Sequence, residues 1–102
     1  MTSSPEPLSR QARFPAGPAA AAALLEPAVA EAAGAGVTPV SLTLDYGATA
    51  AAGDDVTVEA WVDRATRTLV FAHGRLLSKA DGGLVATASA VFRRAAADGS
   101  VP

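Results

Sequence analysis

The chain contains no cysteine, a single histidine and a single lysine, and neither asparagine nor isoleucine occurs in its 102 residues. Without cysteine there is no disulfide framework, no thiolate metal site and no cysteine nucleophile. The lone His73 excludes a histidine-rich metal cluster and a two-histidine relay, so no metal is expected. Charged residues make up 18% of the chain and leave a net charge of -2, which gives no electrostatic footprint for nucleic acid. No apolar run reaches membrane-spanning length, so neither nucleic acid nor a membrane is an expected partner.

What is present is alanine and alternation. Half of the residues are hydrophobic, which suits one small single-cored domain. Alanine is abundant and arginine far outnumbers Lys79, as in a GC-rich genome, so alanine runs carry less helix information than propensity alone suggests. Residues 1–16 mix Ser, Pro, Glu and Arg without an apolar period and read as a flexible tail. The domain is expected over residues 17–94, with a second tail over 95–102.

A helix is expected from Gly17 to Ala33, with Pro18 in its first turn and Gly34 or Gly36 ending it. Pro27 lies inside that stretch and predicts a kink or a break into two pieces. Four strands should follow. Val40, Leu42, Leu44 and Tyr46 alternate with polar residues, as do Val56, Val58, Ala60 and Val62. TLVFAHGRLLS and LVATASAVFRR complete the set, with Asp81-Gly82 a hairpin signal between them. The pattern predicts an α+β fold, one helix and then a four-stranded antiparallel meander. Small residues at Ala60, Ala72, Gly74, Ala86, Ala88 and Ala90 would let an alanine-faced helix lie close to the sheet. A sheet of this size keeps an edge uncovered, which predicts pairing with another copy.

The phrases Leu44-Asp45-Tyr46, Gly53-Asp54, Val56 to Val62, Arg67 to Phe71 and Asp81 to Phe92 lie within Ser41 to Arg94. In that order they resemble the second half of hotdog-fold acyl-CoA thioesterases of the phenylacetate-pathway (PaaI-like) type. The resemblance implies an antiparallel sheet wrapped around one central helix and completed by dimerisation. It also implies hydrolysis of an acyl-CoA or related thioester between subunits of a homodimer or homotetramer, with no cofactor beyond the thioester substrate. Such proteins usually carry a His-Gly-Gly turn into the central helix and an acid about two turns later. Here Gly17-Pro18-Ala19 and Glu26 occupy those places, so the acid is present and the turn is not.

On that resemblance Glu26 is the candidate base or nucleophile, because a thioester needs a carboxylate to attack its carbonyl or to take a proton from water. Glu31 is the fallback. Gly17 or Ala19 would supply an N–H to the carbonyl oxygen, a role Pro18 cannot fill. Ser41 and Thr43 share one side of their strand and would position water or thioester, although a polar strand face explains them as well. Asp45 would contribute to the binding site or cap a turn. Arg75, Lys79, Arg93 and Arg94 lie near strand ends in the sequence, where the phosphates of coenzyme A would be held. His73 has no partner acid at a recognisable spacing and reads as a packing histidine. Trp61 stands on the face opposite the valines and could mark a subunit contact.

A different reading of the first 30 residues is a secretory signal, with Arg10 and Arg13 before an apolar stretch and Ala28-Val29-Ala30 as a cleavage pattern. Gly17 and Pro18 interrupt that stretch, and its removal would strip the sheet of its helix, so the cytoplasm is the expected compartment. Two other functions remain open beside catalysis: a catalytically silent hotdog module that binds a thioester or assembles with a partner, and a secreted small β domain.

Overall fold

The computed structural model describes residues 7–95. Five strands and one helix follow in the order β1 (Leu8–Arg13), α1 (Ala20–Ala33), β2 (Val37–Tyr46), β3 (Asp55–Ala65), β4 (Leu69–Ser78) and β5 (Leu84–Arg94). The strands form one antiparallel sheet ordered β1-β3-β4-β5-β2, and α1 packs on one face of it. This is the helix wrapped by a sheet that the resemblance implied.

Two expectations about the sheet are corrected. Residues 8–13 are not a tail, because Leu8, Arg10 and Ala12 register against Ala60, Val58 and Val56 and form an edge strand. One partly polar strand has too little periodicity to be read before its partner is known. Residues 1–6 and 96–102, the outer parts of the two expected tails, lie outside the described residues. Nor is the rest a four-stranded meander: only β3, β4 and β5 follow one another in space, and β2 lies beyond them, paired with β5. The loop from Gly47 to Asp54 therefore spans the sheet end rather than closing a hairpin.

The core is built where the alternation said it would be. Ala60, Ala72, Ala86, Ala88 and Ala90 are all at most 3% exposed and face the helix, whose Leu25 and Val29 are fully buried against them. Burying each such aliphatic side chain contributes about 1.5–3 kcal/mol. At Gly74 the helix comes closest: a Cβ there would lie 2.9 Å from Val29 Cγ1 and 3.2 Å from Glu59 O. No larger residue fits without moving the helix.

Helix α1 starts at Ala20, later than Gly17, and ends at Gly34, whose φ of 100° suits only glycine and whose N–H reaches Ala30 O and Glu31 O at 3.2 Å. Pro18 thus precedes the helix instead of opening it. Pro27 does not divide the helix, contrary to the expected break. It sits on the exposed side, where the carbonyl it leaves without a donor can be met by water.

Candidate functional site

The helix N-terminus opens onto a cleft of about 240 Å³ between Gly17, Pro18, Ala20 and Ala21 on one side and Tyr46 and Gly47 on the other, with Phe14 and Val85 behind. Its far wall is fixed by backbone bonds. Gly47 N–H donates to Val85 O and Ala48 N–H to Leu84 O, both at 2.8 Å, and a side chain at Gly47 would collide with Leu84 O at 2.6 Å. Phe14 exchanges bonds with the same loop, accepting from Gly53 N–H and donating to Asp54 O at 2.8 Å. The first N–H groups of a helix have no partner within it, and the helix dipole is positive there, so this end favours an oxygen carrying partial negative charge. Ala20 N–H turns back to Gly17 O at 3.3 Å, and the cap residue Ala19 supplies no side-chain bond.

Glu26 and Glu31 are five residues apart, roughly 140° around the helix, on opposite flanks of the stripe made by Leu25, Ala28 and Val29. Glu31 accepts a bond from Arg10 Nη2 at 2.7 Å, which fixes its flank as the β1 side. Glu26 therefore faces the β2 side. It is exposed and has no hydrogen-bond or ion-pair partner among the described residues. On the same side β2 turns Leu42, Leu44 and Tyr46 toward the helix layer, in register with Ala90, Ala88 and Ala86. Tyr46 is 66% exposed, so this flank combines a free carboxylate with uncovered apolar surface.

The other sequence candidates do not gather there. Ser41, Thr43 and Asp45 register with Val91, Ser89 and Thr87 on the sheet face away from the helix. The sheet separates them from Glu26 within the protomer, because strand residues alternate in face and Leu42 and Leu44 took the helix side. Arg75, Lys79 and Arg93 are not a cluster either. Arg75 Nε donates to Glu59 Oε1 at 2.6 Å on the outer face. Lys79 follows the end of β4, while Arg93 pairs with Leu69 at its start, about 30 Å away along a ten-residue strand. Lys79 does line a larger hollow of about 420 Å³, but with Asp54 and Asp55, whose charges oppose an anionic ligand. Because antiparallel strands alternate in direction, residues close to strand ends in the sequence divide between two ends of the sheet.

The outer face holds a second cluster. The rings of Trp61 and His73 stack at 6.1 Å, and Arg75 lies 5.7 Å from the Trp61 ring. His73 does have an acid beside it, contrary to the sequence reading: Asp63 Oδ2 is 3.6 Å from Nδ1. Alternation places Asp63 on the face of Trp61, and it is the pairing of β3 with β4, which sets Trp61 against His73, that brings the two together. Sequence reasoning missed Tyr46 as a cleft residue, although its alternation with Leu42 and Leu44 carried the signal. It also had no means of pairing Arg10 with Glu31.

A family model described as the thioesterase superfamily matches residues 16–86. Among solved structures, zebra fish thioesterase superfamily member 2 superposes with a TM-score of 0.81 at 22% identity, over 93% of this chain and 79% of that one. A mutant of the phenylacetic acid degradation protein PaaI from Thermus thermophilus gives 0.78 at 20% identity, over 87% and 85%. Protein smu.793 from Streptococcus mutans, bound to acetyl CoA, gives 0.75 at 10% identity, over 93% and 86%. These likenesses establish the fold. Among curated proteins none matches the chain. No helix among the described residues is long and apolar enough to cross a membrane. The family match spans the helix, strands β2 to β4, the start of β5 and all of the cleft but Phe14, and the chain belongs to the thioesterase superfamily.

Proposed function

We propose that the protein hydrolyses an acyl-CoA or related thioester in the cleft at the helix N-terminus, completed by a second copy across β2. The observation that carries this reading is the coincidence, on one flank, of the cleft, the unpartnered Glu26 and the uncovered β2 edge. The thioester carbonyl oxygen would turn toward the N–H groups of the helix entry, which stabilise charge as the tetrahedral intermediate forms. Glu26 takes a proton from water as its oxygen bonds to the carbonyl carbon. The intermediate then collapses with cleavage of the C–S bond, and the thiolate leaves and is protonated. A second copy would cover the apolar flank and withdraw Glu26 from bulk water. Among the candidates, Glu26, Gly17 and Ala19 keep these roles. Ser41, Thr43 and Asp45 could serve a site only from the opposite sheet face, and this mechanism does not use them.

A silent thioester-binding module is favoured by one observation: Pro18 brings no N–H to the helix entry where the family has a glycine turn. The experiment that separates the two is release of free thiol from short, long and aromatic acyl-CoAs by the intact protein and by Glu26→Gln. A cysteine-free chain contributes no thiol background. Turnover lost in the variant supports hydrolysis at this cleft. Binding without turnover on any substrate replaces it with the binding module.

A further inference from the structure

The cleft beside the helix entry has a direction. Tyr46 and Gly47 wall it where β2 ends at the open flank, and from there the loop crosses the sheet end past Leu84 and Val85 toward β3. Phe14 stands at the other limit, just after β1, with its N–H and carbonyl bonded to Asp54 and Gly53 before β3 begins. Because β1 and β2 bound opposite edges of the sheet, the cleft runs from the Glu26 side to an end at Phe14 within one protomer. A second copy across β2 would cover the entrance and leave that end unchanged.

A ligand chain has no way onward beneath the helix. Ala20, Ala21 and Val85 floor the cleft and are at most 4% exposed. Beyond them Leu25 and Val29 are fully buried. At Gly74 a single added Cβ would meet Val29 Cγ1 at 2.9 Å and Leu25 Cδ2 at 3.1 Å, so the layer between helix and sheet has no room there for one more methyl group. Phe14 packs against this core, and its two backbone bonds of 2.8 Å make it part of the sheet end rather than of a free loop. None of the residues lining the cleft is charged.

The volume converts to a chain length. An apolar cavity of about 150 Å³ holds a benzene ring, so six carbons fill a space of that size. By the same proportion the cleft, at about 240 Å³, holds roughly nine heavy atoms, an acyl group of about eight carbons with its oxygen. We infer that the cleft selects its acyl group by length and charge, taking uncharged groups up to about that size, and that Phe14 is the residue that sets the limit. The thioester and its entry from the Glu26 side rest on the proposed function; the limit rests on the walls.

The test is a series of coenzyme A thioethers with straight chains from ethyl to hexadecyl, which cannot be hydrolysed. They are titrated calorimetrically against the intact protein, Phe14→Ala and Ala50→Leu, with kcat/KM measured on the matching thioesters. Ala50 is the lining residue of the loop nearest in sequence to Gly53 and Asp54, which hold Phe14. In the intact protein affinity should rise about fourfold with each methylene and stop rising near eight carbons, since only buried methylenes contribute. Phe14→Ala should move the break to chains longer by about two carbons, and Ala50→Leu should move it to shorter ones. Opposite shifts are not produced by a loss of stability, which thermal unfolding of each variant reads separately. If Phe14→Ala does not fold, Phe14→Leu should move the break the same way by less. A terminal carboxylate on the hexyl chain should weaken binding at least tenfold, because it would be buried without a partner. Affinity that climbs steadily to hexadecyl, a break that the Phe14 variant leaves in place, or a carboxylate that binds as well as a methyl overturns the inference. A break in binding without turnover keeps the limit and replaces hydrolysis with binding, whereas turnover without a break keeps hydrolysis and removes the limit. No binding of any thioether overturns both.

Discussion

The two edges of the sheet are bounded by strands of unequal length and are finished differently. β1 offers six residues, and Arg10 reaches from it over the helix to Glu31, closing that flank with an ion pair. β2 offers ten, no ion pair or side-chain hydrogen bond among the described residues ties it to the helix flank, and Glu26 beside it is unpaired. One acid on the helix thus belongs to the architecture of the protomer, and the other is left for something outside it. The difference teaches that Glu26 and Glu31, equivalent in sequence as acids on an alanine helix, are separated in role by what the neighbouring strand presents.

That contrast can be broken. The largest effect is expected from the acid itself: Glu26→Gln should lower thioester turnover by about a hundredfold or more, the usual contribution of a positioned base, while Glu31→Gln should leave turnover unchanged. Steady-state kinetics on one acyl-CoA substrate checks both, and equal losses would erase the distinction between the flanks. Next, Leu42→Asp should convert a dimer to a monomer in sedimentation without loss of the far-UV circular dichroism signal, since like charges would face each other on the β2 edge. A matching charge on β1, Gln11→Asp, should not.

Gly74 lies under the helix between the edges and serves as a control that favours neither. Gly74→Ala should destabilise the protomer by about 1–3 kcal/mol, through contact with Val29 and Leu25, in thermal or denaturant unfolding. The smallest effect belongs to the closed flank. Arg10 and Glu31 are both well exposed, so Arg10→Ala should cost less than about 1 kcal/mol, and less still at high salt.

Much of this was legible because burial on one face imposes a period of two. The pattern from Val56 to Val62 and the small residues of β4 and β5 located the core face, and Gly34 marked the helix end. Leu8–Arg13 was not legible: its helix-side positions include an arginine, and the reason for that arginine is Glu31, 21 residues away. The candidate site was read in part. Glu26 and the helix entry could be taken from the resemblance, but Ser41 and Thr43 could not be assigned a face relative to Glu26. Alternation says which residues share a side of a strand, and not which side the helix will cover.

The sequence by itself determined the helix, the four strands after it, the layer between helix and sheet, and the turns that glycine alone can make, since these depend on local backbone preference and on hydrophobic period. Only the tertiary structure decided that β2 lies beside β5, that the arginines divide by sheet end, and that Glu26 faces an open flank while Glu31 is paired. Those outcomes depend on strand order and register, which are set by contacts between residues far apart in the chain and leave no mark in any short window of it.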